Sequence, residues 1–248
     1  MIKTLKYITI TTLMLLLVPI AVVLSGWRWQ PINMGSNIKL VFWITESATY
    51  PWIILTNIFL CSYFSFCLRF RLKSMLLLSV FLTSVLCFGQ SVKSLLKNQV
   101  QSLRPYDVWI SDNYSMQIRP YRDPQYSECQ EELLQEKLYK GLSNNINIPP
   151  CLIHHWVSAS KFSFPSGHTL FVTTWALLGA GLLWSRHCYC SVFILISWAV
   201  AVMASRLLLG MHWPRDLLAA IILSWLIATL ATVLLHYIRG VSLNNIKK

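Results

Sequence analysis

Phe164-Pro165-Ser166-Gly167-His168-Thr169 and Ser205-Arg206-Leu207-Leu208-Leu209-Gly210-Met211-His212-Trp213-Pro214-Arg215-Asp216 bracket a stretch, 164–217, that is apolar almost throughout between these two ends. A helix needs about 20 apolar residues to cross roughly 30 Å of hydrocarbon. Within the stretch, 169–185 and 188–205 each read as one such span, so the polar residues collect at span ends. Scanning outward for uncharged runs adds 7–26, 47–68 and 74–92 upstream and 217–238 downstream. Lipid offers no partner to backbone N–H and C=O groups, so each run is read as a helix. The expected fold is all-α: a polytopic membrane protein with six transmembrane helices. It forms one membrane domain over 1–248, with a mainly helical extramembrane insert, 98–161, between spans three and four.

Composition agrees, since 55% of the 248 residues are hydrophobic and 12% charged, outside the usual range of soluble domains. The net charge of +12 would suit a nucleic-acid binder, but the charges are sorted by position. If six spans alternate, Lys3, Lys6, Arg69, Arg71, Lys73, Arg186, Arg239, Lys247 and Lys248 fall on one side and all nine Asp and Glu residues on the other. Short basic segments stay cytoplasmic, which places both termini inside, the insert outside, and makes a nucleic-acid partner unexpected. Lys3 and Lys6 ahead of an apolar run resemble a signal peptide, yet the run exceeds a usual signal core and is read as a retained helix.

The insert carries seven of the nine acids. Ser127-Glu128-Cys129-Gln130 has the form of a capping box, and Leu133, Leu134 and Leu138 follow at helical spacing before Gly141, which predicts a short amphipathic helix. A second helix is expected after Pro149-Pro150, and the insert should pack over the mouth of the bundle with no chemistry of its own. Adjacent His154 and His155 would point to different helix faces and are not read as a metal pair. Cys129 and Cys151 share this outer segment, where a disulfide is permitted but not required. Trp27 and Trp29, beside Pro31, are read as an interfacial aromatic belt.

The span ends carry the chemistry. Lys93 and Lys97 lie four residues apart, on one face of span three at its outer end. Lys93 is read as a snorkelling anchor, whereas Lys97, with Arg104 seven residues on and Arg206 at the end of span five, supplies one of three cations for an ionic phosphate. Ser166 and Gly167 precede a helix, whose free N–H groups and positive dipole end favour an anion, with glycine permitting close approach. His212 lies four residues before Asp216, so the carboxylate can take one ring nitrogen and leave the other unprotonated, a triad arrangement with histidine as nucleophile. His168 is the second imidazole. Counting spans puts all of these residues at one membrane face. Metal assistance needs converging oxygen ligands, and the spans offer Asp216 alone, so neither metal nor cofactor is expected.

Lys97-x6-Arg104-Pro105, Pro165-Ser166-Gly167-His168 and Ser205-Arg206-x5-His212-x3-Asp216 resemble, in order, the three signature motifs of the type-2 phosphatidic acid phosphatase family, which includes vanadium haloperoxidases. The resemblance implies a phosphohistidine intermediate at His212, with His168 protonating the leaving alcohol and then activating water. With Ser25-Gly26-Trp27-Arg28-Trp29-Gln30-Pro31 and Cys67-Leu68-Arg69-Phe70-Arg71 added, the chain looks like bacterial members of the family. That implies an enzyme of the cytoplasmic (inner) membrane whose site faces the periplasm, with a membrane lipid phosphate as substrate and no obligate protein partner. The implied reaction converts phosphatidylglycerophosphate to phosphatidylglycerol and phosphate, with undecaprenyl diphosphate, phosphatidate and related lipid phosphates as further substrates. A lipid phosphotransferase of the same fold is the alternative. A transporter or lipid-binding protein would need charges at mid-bilayer and repeat symmetry, and neither is visible in the sequence.

Overall fold

The structure is a computed structural model, described for residues 1–31, 37–69, 71–114, 140, 148–157, 159 and 162–246. The described residues form nine α-helices, α1 (Ile2–Leu24), α2 (Asn37–Glu46), α3 (Trp52–Cys67), α4 (Leu72–Val100), α5 (Pro105–Tyr114), α6 (Pro150–Val157), α7 (Gly167–Leu183), α8 (Tyr189–Leu208) and α9 (Pro214–Ile246), and a 3-10 turn, Trp184–Arg186, after α7. No strand occurs among the described residues.

The architecture follows from α7. Fourteen of its seventeen residues are buried, so it is apolar around its whole circumference and can only be central. Helices α9, α8, α1 and α4 pack around it, and their outward faces carry the exposed apolar side chains, among them Leu13, Leu17, Leu77, Val80, Phe193, Ile194, Leu230 and Leu234. An apolar exterior over a packed interior is the arrangement lipid requires. Helices α1, α4, α8 and α9 are long and apolar enough to cross a membrane.

Of the other two expected spans, α3 is shorter than the sequence suggests, whereas α7 has the expected length and lies two residues earlier. Helix α3 has 16 residues because 47–51 forms a corner of turns, with Ala48 N–H donating to Thr45 O and Thr49 N–H to Glu46 O. Helix α7 has 17 residues, about 25 Å at 1.5 Å per residue. Its middle is surrounded by protein, while Gly167 and His168 at its start border a cavity and Ser185 and Arg186 just past its end are exposed. Span three, by contrast, runs on as helix to Val100 and carries Lys93 and Lys97 with it.

A second layer closes one end of the bundle. Ile38 of α2, Tyr106 and Ile110 of α5, and Leu152, Ile153 and Trp156 of α6 form a separate core with Ile148, Leu209 and Met211. Helix α2 is not among the elements expected from the sequence, whereas α6 lies where the second insert helix is expected. The first expected insert helix, and with it Cys129, lies outside the described residues. Trp29 departs from the belt reading: it is half-buried, sits edge-on to Trp109 and Trp156, and donates its indole N–H to Leu208 O at 2.9 Å. The turn it covers needs Gly210, whose φ is +68°, and a Cβ there would strike the Trp29 ring.

Candidate active site

The turn between α8 and α9 is held on three sides. Trp156 Nε1 donates to Leu209 O at 2.9 Å, Tyr106 N–H to Gly210 O at 3.2 Å, and Arg104 Nη1 to Met211 O at 2.8 Å. His212 is thereby fixed at the mouth of a cavity of about 780 Å³, lined also by Lys93, Lys97, Arg104, Gly167, His168 and Arg206, and by Glu46, Thr49 and His155. Six of the eight residues singled out from the sequence line this one cavity, and the remaining two, Ser166 and Asp216, are fully buried behind it.

Asp216 lies in the first turn of α9, behind Pro214. Its Oδ2 accepts from Trp213 N–H at 2.9 Å and lies 3.4 Å from His212 Nδ1, while Oδ1 faces Arg215 Nε at 3.8 Å. The first pair is half of a capping box, so one carboxylate both starts the helix and holds the ring. With Nδ1 turned toward the carboxylate, the lone pair of neutral His212 is on Nε2. Burial, together with Arg104, Arg206 and Lys97 nearby, holds the His212 pKa well below the usual imidazole range, so this ring is neutral at physiological pH.

Ser166 serves as the N-cap of α7. Its hydroxyl oxygen accepts from Thr169 N–H at 3.3 Å and from the Thr169 hydroxyl at 2.9 Å, and its own N–H donates to Asp216 O at 3.3 Å. The Ser166 hydroxyl oxygen and N–H thus start α7 and tie it to α9, beside the Gly167 end of the helix that borders the cavity. Gly167 is tightly enclosed: a Cβ there would lie 2.9 Å from Lys93 Cδ, and Gln90 Nε2 donates to Gly167 O at 3.2 Å. Lys93, read from the sequence as a surface anchor, in fact lines the cavity wall.

The two guanidinium groups are buried, each about 2% exposed. Arg104 donates from Nη1 to Met211 O and from Nη2 to Phe162 O at 3.2 Å, and its backbone N–H donates to Asp107 Oδ2 at 3.1 Å, which caps α5. Arg206 donates from Nη1 to the Thr45 hydroxyl at 3.0 Å and lies 3.2 Å from His155 Nε2. Its Nε is buried with no hydrogen-bond partner among the described residues. Burial, Arg206 and Arg104 lower the His155 pKa to about 3, so Nε2 accepts from the guanidinium. His168 Nε2 lies 2.9 Å from the Thr49 hydroxyl.

Thr45, Thr49 and His155 carry no motif. The sequence offers no signal for them beyond the His154-His155 pair, whose adjacent residues point to different helix faces. Among the described residues, no group of three or more His, Cys, Asp or Glu side chains is placed to hold a metal.

Three cations, two imidazoles and a carboxylate at one end of an apolar helical bundle define a membrane phosphatase, and the chain belongs to the PAP2 superfamily, whose pattern matches residues 72–239. Among its relatives, phosphatidylglycerophosphatase B of Escherichia coli (strain K12) is 42% identical over 231 residues, covering 92% of this chain and 87% of the relative. Phosphatidylglycerophosphatase B of Haemophilus influenzae is 27% identical over 230 residues, 90% of this chain and 92% of the relative. A putative undecaprenyl-diphosphatase of Escherichia coli (strain K12) is 38% identical over 76 residues, 31% of this chain and 35% of the relative.

Proposed function

We propose that this chain hydrolyses the phosphate ester of phosphatidylglycerophosphate, releasing phosphatidylglycerol and inorganic phosphate, and accepts undecaprenyl diphosphate, phosphatidate and related lipid phosphates. The observation that carries this reading is the convergence of Lys97, Arg104, Arg206, His168 and His212 on one cavity, with Asp216 directly behind His212. The relatives' names supply the substrate class.

In this mechanism the phosphate enters among the three cations, facing the Gly167 end of α7. Arg206, whose buried Nε has no other described partner, donates to an equatorial oxygen. Neutral His212 attacks phosphorus through Nε2, forming the P–N bond as the P–O bond to the lipid breaks, and Asp216 stabilises the imidazolium that results. His168 gives its proton to the departing alkoxide, then takes one from the water that cleaves the phosphohistidine. The acyl chains remain in the bilayer, which accounts for a polar site at the end of an apolar bundle. We place the site on the periplasmic face, with both termini in the cytoplasm. The cations occupy the role a metal plays in other phosphatases, so turnover should survive chelation.

Phosphate release from the purified chain, measured with each lipid phosphate, with and without chelator and with no acceptor present, tests this reading. Release from phosphatidylglycerophosphate in chelator is expected. No release without an added lipid acceptor would instead identify a phosphotransferase. His212→Ala should abolish turnover, and His168→Ala should lower it by about 10² to 10⁴. Near-normal hydrolysis by either variant would overturn the role assigned to that residue.

A further inference from the structure

The corner 47–51 between α2 and α3 touches both halves of the site. The backbone of Thr49 is pinned on each side: its N–H donates to Glu46 O at 2.9 Å and its carbonyl accepts from Ile53 N–H at 2.8 Å. Its hydroxyl reaches two atoms, Thr45 O at 3.0 Å and His168 Nε2 at 2.9 Å. A hydroxyl has one hydrogen and a carbonyl can only accept, so the Thr49 hydrogen goes to Thr45 O. The lone pair of the same oxygen then faces the ring, and keeping both contacts requires His168 Nε2 to be the donor. Were Nε2 unprotonated, two acceptors would compete for one hydrogen and one contact would be lost.

From this we infer that Thr49 is a positioning residue for His168, fixing the tautomer in which Nε2 carries the hydrogen and Nδ1 is the nitrogen that exchanges protons with the substrate. The same corner supports the phosphate grip, because the Thr45 hydroxyl accepts from Arg206 Nη1 at 3.0 Å while the Thr45 carbonyl holds Thr49. Thr45 is fully buried, so this link is shielded from water. One turn of backbone therefore sets the imidazole that moves protons and the guanidinium that holds the phosphate in fixed relation. A ring free to flip would present the wrong nitrogen part of the time, and turnover would fall with little change in binding.

This inference rests on the role proposed for His168, and the test separates the two. Thr49→Val keeps the side-chain volume and removes the hydroxyl, whereas Thr49→Ser keeps the hydroxyl. With phosphatidate in detergent micelles, kcat for Thr49→Val should fall roughly 10- to 100-fold, the range seen when an orienting partner of an imidazole is removed. KM should stay within about twofold, the limb of the pH–rate profile that reports His168 should shift, and Thr49→Ser should remain close to the parent. Adding Thr49→Val to His168→Ala should cost nothing more, because the residue acts through the ring. If Thr49→Val turns over normally, or lowers the double variant below His168→Ala alone, the inference is overturned. If His168→Ala alone is near normal, it is the proposed role of His168 that fails. Should the valine variant be unstable, Thr49→Ala carries the same comparison: a loss that serine does not show supports the inference, and parent-like turnover defeats it.

Discussion

His155 shows how a residue with no motif becomes part of a site. Its Nε2 accepts from Arg206 Nη1 and its ring sits edge-on to Phe42 at 5.2 Å, so it holds the guanidinium from the side opposite the bundle. From the sequence, His154-His155 could be judged only as a metal pair and dismissed. What it does is accept one hydrogen bond, a role legible only once α6 is docked over the turn that follows α8. Replacing His155 with Leu leaves a buried guanidinium short of an acceptor, and KM for phosphatidate should rise roughly tenfold or more; an unchanged KM would exclude His155 from the phosphate grip. The pH dependence has a definite sign. The pKa of His155 is depressed to about 3 in the folded chain, so the unfolded chain binds a proton that the folded chain refuses. This group therefore leaves stability unaffected above about pH 6.5, and lowers it progressively as pH falls from there toward about 3. His212 acts in the same direction, and does so equally in a His155 variant and its parent. Melting temperatures in detergent between pH 7.5 and 4.5 should thus fall less for His155→Gln than for the parent, and equal slopes would count against the assignment.

At the scale of elements, the legible parts were those governed by one-dimensional rules. Apolar length locates α1, α4, α8 and α9 because a span must cover the hydrocarbon whatever its neighbours are. The same rule overextends α3, since the uncharged run 47–68 continues through a corner where Thr45, Ser47 and Thr49 satisfy the backbone locally: Ser47 Oγ donates to Ile44 O at 2.7 Å and Thr49 Oγ1 to Thr45 O. Nor can it reveal α2, which packs on α8 and joins the second core through Ile38. Helix α7 is the clearest case of sequence and structure agreeing on a terminus, because Ser166 is a strong N-cap type and the structure uses it as one. Ser166→Ala should therefore lower stability by about 0.5 to 2 kcal/mol. It should also weaken phosphate binding, since the Gly167 end that the phosphate faces would be free to fray. Denaturation and KM measured on the same variant check both, and a loss of stability with KM unchanged would place the phosphate elsewhere.

Across the whole molecule, the short basic loops and the candidate site lie at opposite ends. Helix directions place Lys3, Lys6, Arg69, Arg71, Lys73 and Arg186 at the end away from the cavity, where Met1, Thr4, Leu68 and Arg186 border a common depression. Lys97, Arg104, Gly167, His168, Arg206 and His212 lie at the other. If the basic end is cytoplasmic, as the positive-inside rule expects and as proposed above, the cavity opens on the periplasmic side. Cys151 permits a direct test, because it is exposed on α6 and borders the cavity. In a variant that keeps Cys151 as its sole cysteine, a membrane-impermeant maleimide applied to cells with a permeable outer membrane should label the chain. In a second variant with Arg186→Cys as the sole cysteine, labelling should require disruption of the inner membrane. The reverse pattern would turn the bundle over. It would place phosphate release in the cytoplasm and leave the basic end outside, against the charge rule that orients every other short loop.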